Sequence, residues 1–373
     1  MRRALISGGG IAGLAAGAAL AQRGWEVRIH ERSPDLRTFG AGIYIWENGL
    51  RVLEAVGAYD EAVKGMLPAW RREARDGSNA VFRRNYVQGM RLFTVIRKNL
   101  LLALQNAAVR AGCEIVFGSE VKGATPDGRL DLDGVLSEPA DLVVAADGVN
   151  SPVRDSLGLL ASRQRINQFA IRVLIERRPE ELDTEVGRSH CEHWSGKNRL
   201  LYAPCTPDLA YVQLTSVYGD TRGNRIPIDR DYWRALFPHA GWVVDRVPDD
   251  GRGDQLQILK LTKWSSGKVA IIGDAAHAQP PNLGQGGGSA LMNALSLAAL
   301  VGNAPSIDDG LIEWERQERP LIEFSQNVAH RYGQLGSLPD MIRTPILRII
   351  DRSAWLKSRT ILALTMHAPT GTT

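Results

Sequence analysis

The order of apolar and polar positions gives the chain three textures. Residues 4–7 form a short apolar run, 8–10 a glycine turn, 11–23 a stretch with helical apolar spacing, and 26–31 a second run with the period of a strand. This predicts strand, helix, strand, a βαβ unit. Helical spacing returns over 50–63 and 97–110, and strands are expected at 114–117 and 140–146. From about 165 to 263 the pattern becomes β-type alternation, as in 170–175, 199–203 and 210–216, with Pro204, Pro207 and Asp208 between runs. An antiparallel sheet is expected there. Strand-helix order then resumes, with a strand at 268–273, a helix from 288 to 301 and a further helical stretch over 307–331. The simplest fold is α/β, a nucleotide-binding type of domain interrupted by an antiparallel β-sheet domain. The tail 333–373, rich in Arg, Leu and Ile and carrying Pro339 and Pro345, is expected to pack as helices against the body or to join a dimer contact.

Composition narrows the class of protein. With 373 residues and 44% hydrophobic content the chain buries an ample core, enough for two domains or one domain with an insertion. The formal net charge is +4, but the arginines are scattered through every segment and form no run, which speaks against a nucleic-acid surface and for small anionic ligands. Cys113, Cys191 and Cys205 form no CxxC pair and sit in no cluster of metal-ligand spacing, so neither a zinc site nor a disulfide framework is indicated, and reduced cysteines in a cytoplasmic protein are expected. Arg2 and Arg3 before the alanine-rich stretch 4–21 imitate a secretory signal, yet Gly8, Gly9, Gly10, Gly13 and Gly17 would interrupt its apolar region. No other stretch is long and apolar enough for a bilayer, so no membrane partner is expected.

Three stretches carry chemistry. The first is the GxGxxG of Gly8, Gly10 and Gly13, which follows a strand, opens a helix and is answered by Glu31 at the end of the next strand. The first glycine allows a tight turn, the second lets backbone approach a diphosphate, and the third lets helix and strand pack closely. The diphosphate would sit at the helix N-terminus, where free N–H groups and the positive dipole end favour negative charge. A glycine-rich helix packing is the plainer alternative, and it leaves Glu31 unexplained. The second stretch, residues 141–154, is an apolar strand ending in Asp147-Gly148 with Ser151 and Arg154 after it; alone it is a strand and a turn. The third runs from a buried strand into Gly273-Asp274, then through a proline pair and a glycine-rich loop, 284–288, into a helix. It delivers Asp274 to the carboxyl edge of a sheet, where α/β folds bind ligands.

In this order the three stretches resemble the GxGxxG, DG and GD motifs of the FAD-dependent aromatic hydroxylases, typified by p-hydroxybenzoate hydroxylase. Residues 39–46, 48–54 and 201–205 are similar to the 2-methyl-3-hydroxypyridine-5-carboxylate oxygenase branch of that family, and the similarity runs over most of the chain, weakening in the tail. The resemblance implies a Rossmann-like FAD-binding domain made of residues 1–69, 95–164 and 265–335, a substrate-binding sheet domain of 70–94 and 165–264, and a helical tail, 336–373. It implies FAD held by Gly8, Gly10, Ala12, Gly13, Glu31, Arg32, Arg97, Asp147, Asp274, Gly284, Gly286 and Gly287, with Asp274 at the ribityl chain. It further implies Arg172, Arg199 and Tyr211 lining a substrate pocket, and Tyr211, Tyr44 and Pro281 beside the reacting ring. Arginine presents a planar fork to a carboxylate, and alternate strand positions aim side chains into one cavity. The plainer reading makes Arg172 and Arg199 ordinary ion-pair residues.

The implied activity is monooxygenation. NAD(P)H, a transient co-substrate with no second dinucleotide motif of its own, reduces FAD, and one atom of O2 passes to a small acidic aromatic or N-heteroaromatic ring, with or without ring opening. The chain would act as a monomer or homodimer. Arg71 and Arg72 stand where that branch carries a substrate-contacting tyrosine, which points to a different substrate. A flavin dehydrogenase or oxidase, and a non-catalytic protein of the same fold, are the competing readings. His277 beside Asp274 is a structural histidine more readily than a proton carrier.

Overall fold

The computed structural model describes residues 1–36, 41–353 and 355. Phe39 and Gly40, named above in the stretch 39–46, and most of the tail beyond Ser353 lie outside the described residues.

A six-stranded sheet forms the base, in the order Ser265–Ser266, Val269–Ile271, Leu142–Ala145, Arg3–Ser7, Glu26–Glu31, Glu114–Phe117. All its pairs are parallel except the short edge pair 265–266 with 269–271. Parallel strands are covered on both faces and therefore read as unbroken apolar runs, as 142–145 does, buried at every position. The helix Ile11–Ala21 is buried along 12–20 because alanine and glycine let it lie close to the sheet on one side and to the helix Gly286–Asn303 on the other.

A seven-stranded sheet stands over this layer, in the order Arg252–Leu261, Leu160–Glu176, Leu209–Ser216, Asn198–Pro204, His190–Ser195, Arg71–Arg75, Val81–Tyr86. It is antiparallel except where His190–Ser195 runs parallel to Arg71–Arg75, with His190 opposite Arg72. Parallel pairing needs a long connection, and here everything from Asp76 to Ser189 lies between the two strands. Alternation within 165–263 holds no sign of this pair, since one of its strands lies outside that stretch.

The helical stretch expected over 50–63 is two helices, Glu47–Ala55 and Tyr59–Val63, because the turn at Val56 and Gly57 stops the first. The last long helix, Ile307–Gly336, starts at Ser306, whose hydroxyl accepts from Asp309 N–H at 3.1 Å. The described part of the tail, the helix Asp340–Arg352, lays Leu347 against Phe82 and Trp194 and sends Arg343 Nη1 to the Gly196 carbonyl at 2.9 Å. No helix among the described residues is long and apolar enough to cross a membrane.

Candidate active site

Between the two sheets lies one cavity of about 890 Å³, and its floor and roof draw on different parts of the sequence. The floor holds Gly10 to Ala12, Arg97, Asp274 and the loop from Gly284 to Gly287. Packing at Gly13 fixes the first turn, since a Cβ there would lie 1.9 Å from the Gly8 carbonyl oxygen. Gly10 and Gly286, by contrast, have no atoms within 4 Å of where a Cβ would stand, so two helix N-termini open onto the cavity with bare backbone. Gly284 takes φ +65°, in the left-handed region, and a Cβ there would sit 2.6 Å from Tyr44 Cβ. Asp274 stands exposed at the cavity wall, at the start of the turn Asp274–His277.

Five residues expected at the floor do not line the cavity: Gly8 and Gly13, which pack the first turn, and Glu31, Arg32 and Asp147. Glu31 accepts from Gly9 N–H at 2.8 Å and from Ser33 N–H at 2.9 Å, so its carboxylate fastens the turn. Arg32 is exposed and away from the cavity wall. Asp147 is half-buried, accepts from Val153 N–H at 3.3 Å and is held above its ordinary carboxyl range by desolvation, while its neighbours Gly148, Val149 and Asn150 make the wall. Arg154, fully buried, joins the second motif to the third by donating to the Val149 carbonyl at 3.0 Å and the Ala275 carbonyl at 3.1 Å. His277 is also behind the wall, 3.3 Å from Asn293 Oδ1 and against the Trp264 ring.

The roof comes from the seven-stranded sheet. Tyr211, Gln213 and Thr215 occupy alternate positions of one strand and share a face, and Tyr211 Oη donates to Gln213 Oε1 at 2.8 Å while Gln213 Nε2 donates to Thr215 Oγ1 at 3.0 Å. Burial pushes the Tyr211 phenol up to about 12, so it keeps its proton. Arg172 faces the cavity and pairs with Asp254 at 2.9 Å. Arg199, 3% exposed, pairs with Glu192 at 3.2 Å and donates to Asn282 Oδ1 at 2.6 Å, and Tyr332 Oη donates to the other Glu192 oxygen at 3.1 Å. Pro281 and Tyr44 also line the cavity, so Arg172, Arg199, Tyr211, Tyr44 and Pro281 meet in one place.

Several members of this wall were not singled out by the sequence, among them Glu192, Gln213 and His190. Glu192 and Gln213 hold the predicted residues in position, and His190 abuts Tyr44 with ring centroids 5.1 Å apart. His190 and Glu192 are two apart on one strand and both face the cavity, the period-2 signal that was available. Arg71 and Arg72 separate by the same rule. Arg71 is buried against Glu73 at 3.2 Å and Glu185 at 2.9 Å, whereas Arg72 lines the cavity with its guanidinium 5.2 Å from the Trp46 ring centroid.

A parallel α/β layer whose glycine turns open helix N-termini onto a cavity roofed by a separate sheet is of the dinucleotide-binding class. Residues 2–304 match the family described as FAD binding domain. The chain is 40% identical, over all of its length and 98% of the relative's, to a probable 2-heptyl-3-hydroxy-4(1H)-quinolone synthase of Rhodococcus erythropolis. It is 42% identical, over 93% of its length and 94% of the relative's, to the 2-heptyl-3-hydroxy-4(1H)-quinolone synthase of Mycobacteroides abscessus. Among solved structures, the tetrameric form of 2-methyl-3-hydroxypyridine-5-carboxylic acid oxygenase superposes with TM-score 0.88 at 36% identity, covering 99% of this chain and 97% of the other. The chain belongs to the FAD-dependent aromatic hydroxylase family, and it is a flavoprotein monooxygenase with FAD as its cofactor. The floor suits that cofactor, because two open helix N-termini favour a dianionic diphosphate and a polarised ring edge, and only backbone stands where a side chain would collide.

Proposed function

We propose that this enzyme uses NAD(P)H and O2 to hydroxylate a small N-heteroaromatic ring of the pyridone or 4-quinolone type. Bound FAD would supply acceptance of a hydride from NAD(P)H and activation of O2 once reduced. The N-terminus of the helix Ile11–Ala21 would hold the diphosphate, Asp274 the ribityl hydroxyls, and the loop from Gly284 to Gly287 the pyrimidine edge of the flavin, with Arg97 beside it. The N–H groups at the start of the helix Gly286–Asn303 would stabilise negative charge gathering on that edge. The roof would keep water from the ring while oxygen is transferred.

One observation carries the choice of substrate. The two arginines expected to grip a carboxylate already face Asp254 and Glu192, and beside them the wall offers uncharged hydrogen-bonding groups on Tyr44, His190, Tyr211 and Gln213. Such a wall favours a ring that carries N–H and oxygen over one that carries a carboxylate. The names of the relatives at 40% and 42% identity support the same choice. Arg72 favours a second reading, an acidic ring, because it lines the cavity without an ion pair among the described residues.

The test compares 2-alkyl-4(1H)-quinolones with hydroxypyridine and hydroxybenzene carboxylates for stimulation of NAD(P)H oxidation and oxygen uptake, with products identified by mass. The quinolones are expected to stimulate both and to gain one oxygen atom. Stimulation by carboxylates alone would establish the second reading, and turnover without oxygen uptake would point to a dehydrogenase.

A further inference from the structure

Among the described residues, several buried polar atoms on the cavity wall stand without a partner, and two of them are neighbours. Tyr44 Oη and His190 Nδ1 make no hydrogen bond, although Tyr44 is 7% exposed and His190 2%. Leaving such an atom unsatisfied is costly, and a fold retains it where a ligand or water completes it. Both residues line the cavity, with their rings in contact, and they come from different elements: Tyr44 from the strand Gly42–Trp46 and His190 from the strand His190–Ser195. Neither ring is free to drift, since Tyr44 is pressed against the Gly284 backbone and His190 sits in register opposite Arg72.

Their protonation states are complementary. Burial raises the Tyr44 phenol far above its ordinary range, so it remains a donor. Burial, and then the Arg72 guanidinium, lower the His190 imidazole to about 3, so it is neutral, and in the tautomer with its hydrogen on Nε2 it would offer Nδ1 as an acceptor. The wall thus sets a phenol hydroxyl and a neutral imidazole side by side.

We propose that His190 and Tyr44 together recognise a heteroaromatic ring by its own N–H and oxygen, with His190 Nδ1 accepting from the ring N–H and Tyr44 Oη donating to the ring oxygen. This rests on the N-heteroaromatic substrate reading above. It makes His190 a determinant of substrate class, selecting rings with a free N–H. An acceptor on that N–H also moves electron density from nitrogen into the ring of a vinylogous amide, toward the carbon that an electrophilic oxygen attacks.

The test uses the FAD-loaded enzyme with 2-heptyl-4(1H)-quinolone and its N-methyl analogue, and follows binding through the change in flavin absorbance together with KM and kcat. In the wild type, N-methylation is expected to weaken binding about tenfold to a hundredfold, as loss of one buried hydrogen bond with its acceptor left unpaired does. His190→Leu is expected to bind the N–H quinolone that much more weakly and to distinguish the two compounds by less than about threefold. His190→Asn, which keeps an acceptor, should restore part of the discrimination, and flavin content and melting temperature check that each variant folds. Equal discrimination in the wild type and His190→Leu would overturn the proposal. So would a wild type indifferent to N-methylation, a result that needs no variant. If neither quinolone binds the wild type, the substrate reading fails and takes this inference with it; if both bind equally, the inference alone fails.

Discussion

Gly13→Ala separates the role of the first glycine turn from that of a merely helical residue. Alanine suits a helix interior better than glycine, by about 1 kcal/mol, so propensity alone predicts a small gain in stability. Packing predicts the opposite. The added Cβ would lie 1.9 Å from the Gly8 carbonyl oxygen and 3.1 Å from its carbon. Ordinary contact begins near 3.5 Å, so the helix Ile11–Ala21 must withdraw from the turn by about 1.6 Å or the Gly8 peptide must rotate. Overpacking of this kind costs about 1–3 kcal/mol, which exceeds the propensity gain. Either displacement also moves the open helix N-terminus at Gly10 away from the place of the diphosphate. A loss of that size corresponds to FAD binding weaker by about tenfold to a hundredfold. The assay is titration of the apoprotein with FAD, followed by flavin fluorescence, alongside thermal melts of the apo and loaded forms. A variant that holds FAD with unchanged affinity, or melts higher than the wild type, would refute the reasoning.

Arg199→Ala should raise KM for the ring substrate about tenfold while leaving FAD content unchanged, because it removes a buried guanidinium that holds Glu192 and Asn282 against the cavity. The same change at Arg172, whose side chain is 22% exposed and whose partner Asp254 is 39% exposed, should cost less; steady-state kinetics with unaltered KM in both variants would remove them from the pocket. Glu318 is the third case, a buried carboxyl raised by desolvation from 4.5 to about 7, with Oε2 lacking a partner. Between those values the folded chain keeps its proton while the unfolded chain releases it, so this contribution to stability is complete below 4.5 and lost as pH rises through about 7. Some 3 kcal/mol is at stake, and urea midpoints should therefore fall between pH 5 and 8 in the wild type and fall less in Glu318→Gln; parallel profiles would show that Glu318 carries no such shift.

The floor of the site was legible in the sequence because its chemistry is written in backbone. A glycine that must meet a carbonyl, as Gly13 does, or leave an N-terminus bare, as Gly10 does, is identified by residue type within a few positions. Asp274 follows the same logic at the end of a buried strand. Acidic residues were harder, since type and spacing placed Glu31 and Asp147 near the cofactor, yet Glu31 accepts from the Gly9 and Ser33 N–H groups and one Asp147 oxygen accepts from Val153 N–H. An acid beside a glycine turn either touches the ligand or shapes the turn that does, and local pattern does not separate the two.

The roof was legible only in part, and the reason is long-range pairing. Alternation says that Arg71 and Arg72 point to opposite faces, but which face meets the cavity depends on the parallel pairing of Arg71–Arg75 with His190–Ser195, between strands separated by more than a hundred residues. His190 acquires its role from that register, which sets it opposite Arg72, and from Tyr44, which reaches it from a third element. Tyr44 in turn is held by Gly284, 240 residues further along the chain. A donor and an acceptor meant for one ring must be fixed relative to each other, and no single segment can fix them. The wall that chooses the substrate is therefore assembled from segments that sequence pattern treats as independent, and substitutions at Gly284 should disturb selectivity through Tyr44 as well as the cofactor through its backbone.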